Sequence, residues 1–447
     1  MTVSNALEVS HRKVWLLAGP IILSNISVPL VGAVDTAVVG HLPEPQAIGA
    51  VALGALIFSF IYWGFGFLRM GTTGFVAQAY GAGDWQSLSD TLLRVLLLAV
   101  VLGLAVILLG RPVIHFALWL IDSSEAVESL AVDYAYIRIW SAPAVLCVYA
   151  FTGVFIGMHN TRAAFVLQLV LNITNVLLDL LFVVGFDWGV KGVAIASLIA
   201  EYTALFAGFY LLRTPLRNAW RRYNRSRLLE RSELAALFTA NINIFIRTLC
   251  LLFAFSYFTA QGAAMGEVIL AANAVLMHLL SFSAYALDGF AHAVEAMAGS
   301  AYGANRQRLF RLAVKLTTMW SGLVALLVAL VYLALGEQII GLFTSIESVA
   351  VAAHEYLPWM IIAPLLSVWS FQLDGIFIGT GQTRAMRNAM VVSLALYLLL
   401  LQLLIPWYGN HGLFLGLMLF MLIRAGTLLF YFPRIDAAIR DTAGKPI

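Results

Sequence analysis

Charge is what this 447-residue sequence has least of: 26 Lys and Arg and 23 Asp and Glu make up 11% of the chain. Soluble domains carry about 25% charged and about 45–50% apolar residues. Here 62% are apolar and the mean hydropathy is +0.92, which excludes a water-soluble globular fold. Cysteine is scarcer still. Cys147 and Cys250 both sit in apolar runs, where free Cys acts as a small hydrophobe, and two cysteines build neither a disulfide framework nor a zinc site. The phosphate-cradling GxxxxGKS/T, the zinc helix HExxH and the nucleophile elbow GxSxG are missing as well. An ATP-driven pump or soluble-type hydrolase is unsupported, so the chain reads as a non-enzyme without a cofactor, drawing on an ion gradient.

What is present is about twelve apolar segments near the 20 residues a bilayer needs. They fall at 14–38, 47–79, 88–111, 126–157, 163–185, 190–212, 234–259, 268–300, 309–334, 348–379, 386–407 and 412–432. The expected fold is therefore an all-α integral membrane protein. His11, Arg12 and Lys13 precede the first segment, and no small-residue cleavage site follows it, so it reads as a retained helix. Arginine accumulates between Arg213 and Arg231, with further basic residues at Arg306 to Lys315, Arg384 and Arg387. The opposite loops, such as those at His41, Asp122 to Glu125 and Thr344 to Glu347, are poor in basic residues. That bias puts both termini in the cytoplasm. It also accounts for the arginine-rich loop without a nucleic-acid partner.

The chain repeats itself. Gly153-Val-Phe-Ile-Gly157 returns 222 positions later as Gly375-Ile-Phe-Ile-Gly379, Thr161-Arg162-Ala163 as Thr383-Arg384-Ala385, and Ala79-Tyr-Gly-Ala82 as Ala301-Tyr-Gly-Ala304. One constant offset across six segments predicts two pseudo-symmetric six-helix bundles. An even number of spans per copy makes them parallel repeats, an arrangement found in secondary transporters. The expected division is an N-lobe at 1–212, a linker at 213–232 and a C-lobe at 233–447.

Polar residues inside the segments are the functional candidates. In the fifth, Gln168, Asn172, Asn175 and Asp179 are spaced four, three and four apart, which stacks them on one helix face. An ionised Asp179 near the bilayer centre would cost roughly 2.5–3.5 kcal/mol unless a partner, proton or ion compensated. Asp35 lies late in the first segment, where it reads either as a functional acid or as an interfacial helix end. The positions 222 after Asp35 and Asp179 are Tyr257 and Leu401, so this acidic pair is not duplicated. The second copy instead has Asp288, His292 and Glu295 on one face of the eighth segment, Asp374 in the tenth and Arg247 in the seventh. These are substrate-cavity candidates together with Gln168 and Asn172. The plainer reading is that the eighth-segment residues pair among themselves or with Arg247. Arg69 and Arg138 read as snorkelling residues or caps of inter-helix contacts. Trp63, Phe67, Tyr285, Phe290, Phe371, Met70, Met277 and Met297 are candidates for lining a ligand pocket.

Taken together, Val34-Asp35-Thr36 with Gly40-His41, Arg69-Met-Gly-Thr-Thr, Ala77-Gln-Ala-Tyr-Gly81, Asn175-Val-Leu-Leu-Asp179, Gly192-Val-Ala-Ile-Ala-Ser197 and Asn243-Ile-Phe-Ile-Arg247 resemble the multidrug and toxic compound extrusion (MATE) family, in its DNA-damage-inducible protein F branch. The resemblance covers essentially the whole chain. It implies a twelve-helix, multi-pass efflux antiporter of the bacterial cytoplasmic (inner) membrane, a monomer embedded in lipid that exports amphipathic, often cationic drugs against H⁺ or Na⁺. It further implies that Asp35, Asn175, Asp179 and Ser197 take up the coupling proton or a Na⁺ ion, and that the first segment bends at Pro20. Another branch of the family uses a seventh-segment acid for a second Na⁺ site; this chain offers only Arg247 there, leaving Asp374 and Glu295. A flippase for lipid-linked precursors, from the same superfamily, is the alternative. Its cavity would need to be cationic, and the acids named above outnumber the arginines.

Overall fold

A computed structural model describes residues 7–40, 45–121 and 124–439. The loop at His41 and the acid Asp122 lie outside them, as does the side chain of Asp35. The described residues form helices and connecting turns, with no strand among them. The helices are α1 (His11–Gly40), α2 (Pro45–Gly64), α3 (Phe67–Ala82), α4 (Trp85–Ile121), α5 (Glu125–Arg138), α6 (Ala142–Gly157), α7 (Thr161–Asp179) and α8 (Gly189–Leu211). Two short ones follow, α9 (Arg213–Arg221) and α10 (Arg225–Leu228). The rest are α11 (Arg231–Ala264), α12 (Glu267–Gly303), α13 (Gln307–Phe343), α14 (Glu347–Gly379) and α15 (Thr383–Ala438).

Ten stretches of the described residues are long and apolar enough to cross a bilayer. The last, α15, is 56 residues long and broken at Gly409 (φ 53°, ψ −130°), so it carries two crossings. With α1, 30 residues long, this gives the twelve spans. Helices suit such a chain because each backbone donor and acceptor is met inside its own segment, as lipid requires. Leu342 and Trp407 expose 85% and 83% of their surface, which a membrane would cover.

The duplication is visible in the backbone. Left-handed residues recur at the 222-residue offset: Gly83 (φ 69°) with Asn305 (φ 54°), His159 (φ 59°) with Gly381 (φ 71°), and Asp187 (φ 56°) with Gly409. The amide of Asn160 donates to the carbonyl of Phe155 at 2.9 Å or less, and that of Gln382 does the same to Phe377 (2.8 and 2.9 Å). Both helices thus end in the same left-handed cap. The repeated GxxxG motif does the same work twice. On α6, a Cβ at Gly157 would stand 2.8 Å from Val76 and 2.9 Å from the Thr73 carbonyl, and one at Gly153 would stand 2.8 Å from Thr72. On α14, a Cβ at Gly375 would stand 2.8 Å from Val294, and one at Gly379 would run into the Glu295 carbonyl. Small residues let these backbones approach closely. Gly157→Leu and Gly379→Leu should each overpack their contact, at about 1–3 kcal/mol or more, and lose the monodisperse peak in size-exclusion chromatography. Gly426→Leu, where a Cβ meets nothing within 4 Å, should keep it.

The chain forms two compact units. The amino unit comprises Leu23–Val76 and Asp84–Leu237, and the carboxy unit Met1–Ile22, Ala77–Gly83 and Phe238–Ile447. These differ from a cut at the linker in two places, the start of α1 and the end of α3. The amino unit's core includes Phe58, Tyr62, Leu118, Tyr134 and Val193. In the carboxy unit, Val14, Leu17 and Ala18 of α1 pack on Phe290, Ala293 and Met297. Phe290 and Met297 are therefore core residues rather than the pocket lining the sequence allowed. At its other end, Asn273 and Asn410 exchange two amide hydrogen bonds of 2.8 Å beside the break at Gly409.

The linker belongs to the amino unit and is latched to α4. Arg94, buried, donates to the carbonyls of Arg227 (2.6 Å) and Leu228 (3.2 Å) and pairs with Glu233 (3.2 Å). Asp84 caps α4 by accepting from the Ser87 amide (2.9 Å) and hydroxyl (2.7 Å), and these bonds hold its carboxyl below the usual carboxylate range.

Candidate functional site

In the amino unit the polar stripe of α7 is built as its spacing implied. Asn172, Asn175 and Asp179 are buried, and Gln168 is half-buried. Ile173 and Leu177, between them in sequence, are exposed, so one face of α7 is polar and inward while the other is apolar. The amides form a chain. Gln168 donates to Asn172 (2.8 Å), Asn172 donates to the Ser27 hydroxyl of α1 (2.7 Å), and Ser27 donates to the Ser24 carbonyl (2.6 Å). One turn further, Asn175 donates to the Ser197 hydroxyl of α8 at 3.3 Å. Gly192 makes that reach possible: a Cβ there would stand 3.3 Å from the backbone of Phe182, so α8 starts close against the chain that continues α7.

Asp179 ends α7. Its side chain is fully buried, at 0% exposure, and the helix then widens into a π turn over Leu180–Gly185, a distortion common at functional positions. Structure thus brings Gln168, Asn172, Asn175 and Ser197 into direct contacts and sets Asp179 on the same face. Asp35 is placed only as a residue of α1, and Pro20 lies within the same helix, three residues before the amino unit's first residue, Leu23.

A second polar group in this unit joins Arg138 to Glu201, an acid inside the sixth apolar segment that the sequence reading did not single out. Glu201 lies one turn beyond Ser197 on α8 and interacts electrostatically with Arg138. Arg138 donates to the Ser141 hydroxyl (3.0 Å), which also bonds Tyr62 (2.9 Å). Arg138 therefore joins contacts between helices, the second of the two roles its sequence position allowed, rather than snorkelling.

In the carboxy unit three charges from three helices converge. Arg247 of α11 and Arg424 of α15 both donate to the same carboxylate oxygen, Oδ2 of Asp374 on α14, the latter at 2.7 Å. All three are buried. Arg424 was not foreseen, although any ionisable residue inside an apolar segment is a signal. On α12, His292 Nδ1 and Glu295 Oε2 are 3.0 Å apart, and Asp288 is within electrostatic reach of Arg424. The eighth-segment residues thus pair partly among themselves, while Arg247 goes to Asp374. Two guanidinium groups already stand where a cation would bind Asp374.

Membrane-crossing helices that repeat one pattern twice along the chain, with buried carboxylates and amides inside them, define a polytopic membrane protein of the repeat-built transporter class. The chain belongs to the MATE family. The MatE family model matches it twice, over residues 20–181 and 242–404, with starts 222 residues apart. It is 44% identical over 422 residues to DNA damage-inducible protein F of Escherichia coli (strain K12), covering 94% of this chain and 92% of that one. It is 24% identical to the probable multidrug resistance protein NorM of Pseudomonas syringae pv. tomato, covering 95% of each. A crystal structure of MATE in the bent conformation matches with a TM-score of 0.89 over 98% of both chains at 18% identity, a likeness of fold.

Proposed function

We propose that the protein is a secondary active multidrug efflux antiporter that exports amphipathic, cationic compounds in exchange for H⁺ or Na⁺ by alternating access. One observation carries the reading: Asp179, fully buried, shares a helix face with Asn175, whose amide reaches Ser197. A carboxylate withdrawn from water is costly until a proton or cation neutralises it. Asp179 is accordingly the residue that takes up the coupling ion, with Asn175 and Ser197 supplying neutral oxygens and Asp35 the second acid. Neutralisation alters the polar contacts of α1, which Ser27 makes to Asn172, and Pro20 supplies the missing backbone bond at which α1 bends. The relative NorM, a probable multidrug resistance protein, supports drugs as the cargo. The same reading places the protein in a bacterial inner membrane as a monomer, both termini cytoplasmic, with 1–212 and 233–447 as its lobes.

The test is transport in proteoliposomes with an imposed pH or Na⁺ gradient and a panel of organic cations and amphipathic anions. Gradient-driven movement of cations is expected, and its absence under both gradients defeats the reading. One observation favours the flippase as a second reading: two buried arginines converge on the carboxylate of Asp374, and guanidinium groups suit a pyrophosphate. Movement of a lipid-linked precursor without an ion gradient would favour it.

A further inference from the structure

Away from these sites, the carboxy unit holds a groove of about 600 Å³ between α13, α14 and α15, within the size of small-molecule sites. Met319 and Gly322 of α13, Trp369 and Gln372 of α14, and Phe432 of α15 line it, with Lys315 at one end. Trp369 exposes 50% of its surface, so the groove opens towards the side that acyl chains would cover. One wall residue is out of place in hydrocarbon. Gln372 is 2% exposed, and neither its amide nitrogen nor its amide oxygen has a hydrogen-bond partner. Buried amides are almost always satisfied, and leaving one unmet is costly.

The end that carries Lys315 is basic. Arg308, Arg311 and Lys315 fall on successive turns of α13. The Asp436 carboxylate there is taken by Arg311 at 2.6 Å, and Lys315 makes no ion pair among the described residues. From Lys315 to Gly322 the groove follows α13 for about 10 Å, at a rise of 1.5 Å per residue. One leaflet's hydrocarbon is roughly 15 Å deep. A basic end, an apolar trough and an amide in its wall match the phosphate, acyl chain and ester of a phospholipid.

We propose that this groove is a binding site for an anionic phospholipid of the surrounding bilayer. One acyl chain lies along α13 past Met319 and Gly322, the phosphate meets Lys315, and the buried Gln372 amide turns outward to donate to an ester carbonyl. The annular lipid around any membrane protein would exchange without regard to headgroup; this site selects negative charge and is retained.

Gly322 supplies a test that spares the fold. A Cβ added there meets nothing within 4 Å, so a tryptophan side chain fills the groove and not the protein. Purified full-length protein is titrated with phosphatidylglycerol and with phosphatidylcholine of the same chains, and bound lipid is counted by native mass spectrometry. Wild type should prefer phosphatidylglycerol by about tenfold, which is about 1.4 kcal/mol. Gly322→Trp should lose the tight site, Lys315→Glu should lose the preference, and Gln372→Leu should weaken both lipids. Equal retention by wild type and Gly322→Trp, or no headgroup preference in wild type, overturns the proposal. Should Gly322→Trp fail to fold, Lys315→Glu, on an exposed side chain, decides between the same outcomes.

Discussion

Asp179→Asn is expected to reduce drug-stimulated proton or Na⁺ movement to the level of empty liposomes while leaving the protein folded. The substitution keeps the shape of a fully buried side chain and removes only its ability to ionise. Placing a charge in such surroundings costs several kcal/mol, whereas a neutral amide of the same shape costs much less, so the protein should still fold. A purely structural acid would give the opposite pattern, with transport retained and stability lost. Asn172→Ala provides the contrast. It breaks the bonds to Gln168 and Ser27 yet leaves the carboxylate, so coupling should weaken without vanishing. Ion movement in proteoliposomes and thermal unfolding in detergent, measured on the same preparations, check both halves. Unchanged antiport in Asp179→Asn would remove it from the coupling role.

Asp374→Ala should be the most destabilising single change in the carboxy unit. It strands two buried guanidinium groups, Arg247 and Arg424, that now share one oxygen. Breaking a buried pair by deleting one partner costs about 3–5 kcal/mol. At about 2–4 °C per kcal/mol for a unit of this size, the midpoint should fall by roughly 10 °C. Arg424→Met should cost clearly less, because Arg247 and Asp374 remain as a one-to-one pair. Unfolding midpoints that fall equally in the two variants would show that charge balance is not what holds α11, α14 and α15 together.

Much of this architecture can be read in the chain because lipid imposes a coarse code. The constant 222-residue offset and the apolar run lengths are enough for twelve spans in two copies. Breaks inside spans are another matter. The helix stops at Phe65 and Gly66 between α2 and α3, and it tightens at Ile139–Ser141 between α5 and α6, but composition does not change at either place. The stripe Gln168, Asn172, Asn175 and Asp179 stands out because amides and acids contrast with leucine. Arg424 and Glu201 obey the same rule and could have been found by it, since each lies within a correctly placed span. Their partners could not. Nothing in the spacing says that Arg247 and Arg424, 177 positions apart, meet on Asp374, because helix order in the membrane is set by packing. The close approach at Gly192 that brings Ser197 to Asn175 depends likewise on which helix lies opposite.

The paired left-handed turns bear on how such a chain can change over time. At each pair one copy has glycine and the other has asparagine, histidine or aspartate, residues for which that conformation costs about 1–2 kcal/mol. Side chains drifted apart while the points where helices stop and restart did not move. A duplicated gene can therefore specialise one copy's interior, trading Asp179 for Leu401, as long as these few punctuation residues keep the helix lengths in register with the bilayer.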